Sequence, residues 1–187
     1  LKNRVFIANE DSHSNMLQEL GIEDDYLNAT KTFVRAELVP PNDEWWSDPD
    51  GWRMIVDQDE VPDWFTLDRQ KYEADFRSAV KEWWASHVMI DQKIEELTSG
   101  YYRLMRCEVK KLLNDVKIAM CNSSQVGKMY GSSQVGKMWG SSQVGKMWDS
   151  SRVGKMWDSS QVGEMYGSSQ VGEMWGSSQV GKMCNSS

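Results

Sequence analysis

From Ser123 onward one nine-residue unit recurs seven times: SSQVGKMYG, SSQVGKMWG, SSQVGKMWD, SSRVGKMWD, SSQVGEMYG, SSQVGEMWG and SSQVGKMCN. Such a period constrains the fold before any other feature, because a short unit buries its apolar side chains only by stacking on its neighbours. Only the Val at position four and the Met at position seven are apolar in every copy. They lie three apart, whereas a straight strand returns to one face every two residues. A corner with positive φ is therefore expected at position five, which is Gly in every copy and enters such backbone regions without a Cβ clash. Position nine holds Gly131, Gly140, Asp149, Asp158, Gly167, Gly176 and Asn185. These residue types best tolerate left-handed backbone, which predicts a second corner. The second Ser and the Val of each unit, such as Ser142 and Val144, share the inner face of a short strand, and Met147 fills the space beyond. The result is a β-solenoid.

Nine residues per coil would enclose too little room for a Val and a Met, so the expected coil is two units, 18 residues. Units then stack odd on odd and even on even. One aromatic column becomes Tyr130, Trp148, Tyr166 and Cys184, and the other Trp139, Trp157 and Trp175, with neighbours about 4.8 Å apart. Trp139 should therefore meet Trp157, not Trp148. Position six gives Lys128, Lys146, Glu164, Lys182 on one side and Lys137, Lys155, Glu173 on the other, so each column contains an opposite-charge neighbour. Roughly 3.5 coils make a rod about 17 Å long. A stack that short needs a cap.

All four prolines and every Leu, Ile, Ala and Phe precede the repeats, which sets the expected boundary between an acidic α+β cap over 1–121 and the solenoid over 122–187. The first 120 residues carry 24 acidic against 15 basic side chains, while the repeats carry a slight positive excess. Arg4–Ala8 reads as a strand, followed by a helix through Met16, Leu17 and Leu20 that stops at Gly21. Thr32–Val39 reads as a second strand stopped by Pro40 and Pro41. A loop follows over Asn42–Gly51, then a third strand over Trp52–Val56. The clearest helix runs from Thr66 to about His87, with Tyr72, Phe76, Ala79, Val80 and Trp83 at helical spacing. A short apolar run at Val88–Ile90, a helix through Ile94 and Leu97 to Gly100, and degenerate first rungs over Tyr101–Met120 lead into the repeats. Starting without Met and stopping two residues into an eighth unit are features of a fragment of a longer protein.

Chemistry has few candidates. Cys107, Cys121 and Cys184 are an odd number without CxxC spacing, so neither a disulfide framework nor a zinc site is expected. His13 sits in an Asp- and Ser-rich helix start, which is ordinary capping, and His87 suits a helix C-terminus. The loop acids do not follow the calcium-loop alternation and lack its closing Glu. The nonapeptide period lacks the Asp and paired Gly that calcium-binding repeats need in every unit. No phosphate-binding Gly loop or nucleophile elbow is present. No enzyme activity, metal or cofactor is expected. A net charge of −7 argues against direct nucleic-acid binding through a basic surface. No run approaches the ~18–20 apolar residues of a membrane span, and residues 1–30 lack a signal-peptide layout, so a soluble, cytoplasmic protein is expected.

What remains is surface. Asp43, Glu44, Asp48, Asp50, Asp57, Asp59, Glu60 and Asp63 lie beside Trp45, Trp46 and Trp64. Such acids either keep a sticky repeat protein soluble or imitate a phosphate backbone in the basic channel of a partner enzyme. The aromatic column of Trp139, Trp157 and Trp175 is a second candidate docking face. On the unit SSQVGKMWG, the chain resembles the β-solenoids of pentapeptide-repeat and hexapeptide-repeat proteins in architecture, over about a third of its length. The five-residue signature is absent. Some pentapeptide-repeat proteins are acidic DNA mimics that inhibit DNA-handling enzymes, and near-identical repeats of this kind resemble those of phage and gut-bacterial proteins. The resemblance implies a non-enzymatic inhibitor of a nucleic-acid-handling or defence enzyme, such as an anti-CRISPR protein. The alternative is a structural or surface-binding solenoid that serves for oligomerisation or as a scaffold. Open strand edges at the C-terminal coil, with Val180, Met183 and Cys184, favour an end-to-end homodimer.

Overall fold

The computed structural model describes residues 17–18, 21, 33–58 and 61–184. Two compact units divide the chain, Leu1–Ser86 and His87–Ser187.

In the first unit β1 (Ala36–Val39) pairs antiparallel with β2 (Arg53–Val56). Between them two 3-10 turns, Pro41–Asp43 and Pro49–Gly51, shape the loop. The second forms because the Asp48 carboxylate accepts the Asp50 N–H and Pro49 fixes the first turn position. Helix α1 (Asp63–Leu67) is followed at Asp68 by α2 (Arg69–His87), so the long helix expected from Thr66 is interrupted near its start. Phe65 is buried against Trp64 and Tyr72, with ring centroids 6.0 and 5.6 Å away. Leu17 is buried and Gly21, at φ +63°, donates its N–H to the Gln18 carbonyl, as the expected helix stop requires. The strand expected over Arg4–Ala8, His13, Asp59 and Glu60 lie outside the described residues.

The second unit is a β-solenoid of about five coils, reaching about 18 residues per coil in the repeats. Its strands are β3 (Val88–Ile90), β4 (Lys93–Leu97), β5 (Tyr101–Met105), β6 (Glu108–Leu112), β7 (Lys117–Cys121), β8 (Gln125–Met129), β9 (Gln134–Met138), β10 (Gln143–Met147), β11 (Arg152–Met156), β12 (Gln161–Tyr166), β13 (Gln170–Met174) and β14 (Gln179–Cys184). They alternate between two six-stranded parallel sheets, β4-β6-β8-β10-β12-β14 and β3-β5-β7-β9-β11-β13. Register is in step with the units: Val144 pairs with Val126 and Val162, Met147 with Met129 and Met165. From Val126 to Val162 and from Met129 to Met165 the repeat core is buried, and each such side chain contributes roughly 1.5–3 kcal/mol of burial. The second serines Ser124, Ser133, Ser142, Ser151, Ser160 and Ser169 are buried with them, which places them on the inner face as expected.

Position nine is the corner. Gly131, Gly140, Gly167 and Gly176 have φ between +66° and +68°, and Asp149 and Asp158 stand at +58° and +57°. Position five is not a positive-φ corner. Those glycines lie inside the strands without positive φ, but the pairing skips them: Val144 and Lys146 have partners in register and Gly145 does not. That local break lets Val and Met face inward although they are three apart. Glycine is needed there for a different reason. A Cβ on Gly145, Gly154, Gly163 or Gly172 would lie 2.5–2.6 Å from the carbonyl oxygen of the glycine one coil earlier.

The coils begin at Val88, well ahead of the repeat boundary near 121, and the compact units accordingly divide at Ser86/His87. Val88 pairs with Arg103, Tyr101 with Lys117, Lys117 with Gln134 and Gln134 with Arg152, so successive coils lengthen from 15 to 16, 17 and 18 residues. The early corners are shorter: only Asp91 and Gln92 separate β3 from β4, and Arg106 and Cys107 separate β5 from β6. Lys93–Leu97 is a strand, not the expected helix. Ile94 and Leu97 carry the apolar spacing of three that the repeat uses, aligned with Val109 and Leu112 and through them with Val126 and Met129. In β5 and β7 the ordinary spacing of two holds, with Tyr102 and Leu104 over Ile118 and Met120. An irregularity between Ile118 and Ala119 converts the one spacing into the other. Among the described residues no helix is long and apolar enough to cross a membrane.

Candidate protein-binding surface

In six of the seven units the residue between the Met and the corner is aromatic, Cys184 taking its place in the seventh, and its backbone is tied one coil down: Trp148 donates its N–H to the Met129 carbonyl and Trp157 to the Met138 carbonyl, both at 3.0 Å. Stacking follows. Tyr130 and Trp148 lie 5.0 Å apart and within 7° of parallel, and Trp148 and Tyr166 5.5 Å apart and within 10°. On the other column Trp139 and Trp157 stack at 5.3 Å and 12°, as the 18-residue coil requires. These rings are half-buried, whereas Trp175 is exposed.

Charged side chains brace the columns. Lys128 lies 6.0 Å over the Trp148 ring and Lys137 5.4 Å from that of Trp139, within the range of a cation–π contact. Lys146 pairs with Glu164 at 3.0 Å and Lys155 with Glu173 at 3.1 Å, the two opposite-charge neighbours expected from position six. The Tyr166 hydroxyl also donates to Glu164, and the Trp175 indole N–H donates to Glu173 at 3.2 Å. The Tyr166 hydroxyl and Lys146 therefore hold the Glu164 carboxyl below its ordinary range, and Lys155 and the Trp175 indole do the same for Glu173. Rings held this way present a pre-ordered edge.

The cap acids are differently placed. Asp50 accepts from Lys81 at 2.6 Å, Asp57 pairs with Arg35 at 3.2 Å, and Asp48 caps its own turn. Asp43 is exposed at φ +58° and Glu44 is half-buried. Trp45 and Trp46 are half-buried and meet edge to face at 5.3 Å, and the Trp45 carbonyl accepts from the Trp84 indole at 2.9 Å. Trp64 is likewise half-buried. The expected exposed Trp patch is therefore partly folded into the cap, because the loop packs its own aromatics. In the last described coil Val180 and Cys184 are half-buried and Met183 is 61% exposed.

No family model, curated protein or solved structure matches the chain.

Among the described residues no group of three or more His, Cys, Asp or Glu side chains is placed to hold a metal ion. Cys107 is buried and its thiol donates to the Met89 carbonyl at 3.1 Å; burial raises its pKa and pushes that of Cys121 up to about 11. Thiols held protonated in this way are poor nucleophiles. An open hollow of about 270 Å³ is lined by residues that include Asp91, Arg106 and Glu108. There Arg106 forms a bidentate pair with Asp91, both contacts at 2.6 Å, across two successive corners. Sequence reading missed this pair. Its signal was the 15-residue separation of two corner residues, hidden because the later coils repeat at 18.

Proposed function

We propose that the chain is a non-catalytic binding and scaffold module, whose solenoid presents columns of stacked aromatic rings to a protein partner. The observation that carries this reading is the pair of columns Tyr130–Trp148–Tyr166 and Trp139–Trp157, ordered by stacking and braced by lysines. Large aromatic surfaces of fixed orientation lose little conformational freedom on binding, which makes them effective anchors. We place this activity in the cytoplasm, where Cys107, Cys121 and Cys184, all free thiols, stay reduced.

A second reading, inhibition of a nucleic-acid-handling or defence enzyme in the manner of an anti-CRISPR protein, draws on the acidic excess of the first 120 residues. The pairing of Asp50 with Lys81 and of Asp57 with Arg35 removes part of the field such mimicry needs. One experiment separates the two. A partner captured from lysate by the full chain is titrated against the double variant Trp139→Ser, Trp157→Ser and against Asp43→Lys, Asp48→Lys. The scaffold reading expects at least a tenfold loss for the first and little change for the second, with weak dependence on salt. Loss on charge reversal together with steep salt dependence overturns it in favour of the inhibitor.

A further inference from the structure

The outward faces of the two solenoid sheets carry their charge differently. On the sheet that holds β6, β8 and β10, Lys111, Lys128 and Lys146 stand in a single column. On the other sheet β7, β9 and β11 place Lys117, Lys137 and Arg152 on successive rungs but on alternate sides. Lys117 and Arg152 are both aligned with Gln134, in one outward column, whereas Lys137 is aligned with Ala119 and Lys155, in another. Arg103, also aligned with Ala119, carries the alternation one rung earlier, into β5. Arg152 is the one departure from Gln at position three in the seven units, and it completes this alternation. Lys155, the cation that would break it, is paired with Glu173 at 3.1 Å.

Lys117, Lys137 and Arg152 are exposed, and among the described residues none of the three pairs with a carboxylate. Rungs are ~4.8 Å apart, and the two columns are separated by two or three residues along a strand, roughly 7–10 Å. Gly136 and Gly154 lie between the columns, so no side chain obstructs the strip. The face therefore offers one cation per ~4.8 Å of rod, on alternate edges of a flat strip. A complementary ligand is a linear polyanion with the same advance and the same alternation. An extended acidic peptide alternates sides but advances only ~3.3 Å per residue, so it falls behind by about 1.5 Å at each rung. Duplex nucleic acid carries its charges every ~3.4 Å along each strand, without alternation. In a flat 1,4-linked polyuronate of two-fold symmetry each sugar advances by about one coil rise. Each is also turned over relative to the last, so successive carboxylates leave opposite edges of the ribbon.

We propose that this face binds a linear acidic polysaccharide of the flat, two-fold polyuronate class, laid along the rod axis over Gly136 and Gly154. Lys117, Lys137 and Arg152 hold carboxylates of three successive sugars, and Arg103 lies in line for a fourth. The Gln134 amide, between Lys117 and Arg152 in their column, is placed to hydrogen-bond a sugar hydroxyl. Exposed ion pairs are individually weak, so affinity is modest for a short oligomer and grows with chain length. The inference goes beyond the protein-binding reading and does not depend on the aromatic columns.

Titration calorimetry on the full chain tests it, with β-1,4-linked hexamannuronate as the probe. Cellohexaose, a similar ribbon without carboxylates, hexaglutamate and a single-stranded oligothymidylate are the competitors. The expected result is a dissociation constant for hexamannuronate below about 1 mM, at least tenfold tighter than for any competitor and weakened by salt. The double variant Lys117→Gln, Arg152→Gln should bind roughly fivefold or more weakly, with unchanged circular dichroism because both positions are exposed. A second variant, Gln134→Lys with Lys137→Gln, keeps the number of charges and destroys their alternation, and it should lose as much as Lys137→Gln alone. Absence of hexamannuronate binding at 1 mM, or cellohexaose, hexaglutamate or oligothymidylate bound as tightly, overturns the proposal. Full binding by the rearranged variant also overturns it, since charge without alternation would then be sufficient.

Discussion

Replacing Gly136 and Gly145 by Ala, one at a time, tests what the glycine column is for. Both occupy position five, in β9 and β10, and neither has positive φ. A Cβ on Gly145 would lie 2.6 Å from the Gly127 carbonyl oxygen, against about 3.3 Å for an ordinary C···O approach, so the rung must open by roughly 0.7 Å. On Gly136 the nearest atom is the Ile118 carbonyl oxygen at 3.7 Å, at the place where the register shifts between Ile118 and Ala119. Overpacking a close-packed site costs ~1–3 kcal/mol, whereas Gly→Ala at a compatible conformation stabilises by ~0.4–1 kcal/mol through the unfolded chain. Gly145→Ala should therefore lose about 1–2 kcal/mol, and Gly136→Ala should be neutral or gain up to about 1 kcal/mol. Urea midpoints compared at a common slope measure the difference. Equal and large losses would show that backbone conformation, not the neighbouring coil, demands glycine, and two neutral variants would remove the steric argument altogether.

Ser142 donates to the Trp139 carbonyl at 2.7 Å, while the hydroxyl of equally buried Ser151 has no partner; Ser142→Ala should cost about 1 kcal/mol and Ser151→Ala nothing, by the same urea assay. Glu164 and Glu173 have folded-state pKa values held below the ordinary ones, so their stabilisation is complete above the ordinary glutamate pKa of about 4.3 and is lost as pH falls through the lower folded values. The urea midpoint of the wild type should then fall more steeply between about pH 5 and 3 than that of Glu164→Gln, Glu173→Gln; parallel profiles would refute the assignment. Deleting 141–158 removes one whole coil and rejoins Gly140 to Ser159 in phase, so circular dichroism should show the remaining coils folded, with a denaturant slope lower by about a fifth of the solenoid's share; loss of the remaining β signal would contradict nearest-neighbour stacking.

The parts of the fold that depend on residues within one unit were legible. Val and Met at spacing three, Gly, Asp and Asn at position nine, and the charges at position six led to the core, the corner and the ion pairs that form. What escaped depends on residues a coil or more away. The reason for glycine at position five is a carbonyl 18 residues earlier, which no local rule contains. Ile94 and Leu97 satisfy a helical period as well as a solenoid one, and only the pairing with Val109 and Leu112 decides between them. In the cap, the partner of Asp50 is Lys81, 31 residues on and in a different element. Acids that looked like a free negative face are for that reason partly neutralised within their own unit.

Near-identical units leave a question that the repeat core alone cannot answer, namely why one coil does not pair a unit further along. Sliding by one unit keeps Val on Val, Met on Met and Gly on Gly, and the exposed Lys–Glu pairs that would be lost are worth at most about 1 kcal/mol each. The register must therefore come from where the pattern is irregular. Residues 88–121 supply it: their corners have different lengths, their apolar spacing changes from two to three at Ile118/Ala119, and Tyr102, Leu104 and Leu112 cannot be exchanged for one another without misplacing side chains. Gln134, in the first regular strand of its sheet, pairs with Lys117, whose own partner Tyr101 lies in that irregular segment. Since each coil touches only its neighbours, fixing the first regular coil fixes all the later ones. The degenerate segment is in this sense the template of the rod, which is why it belongs structurally with the repeats and not with the cap.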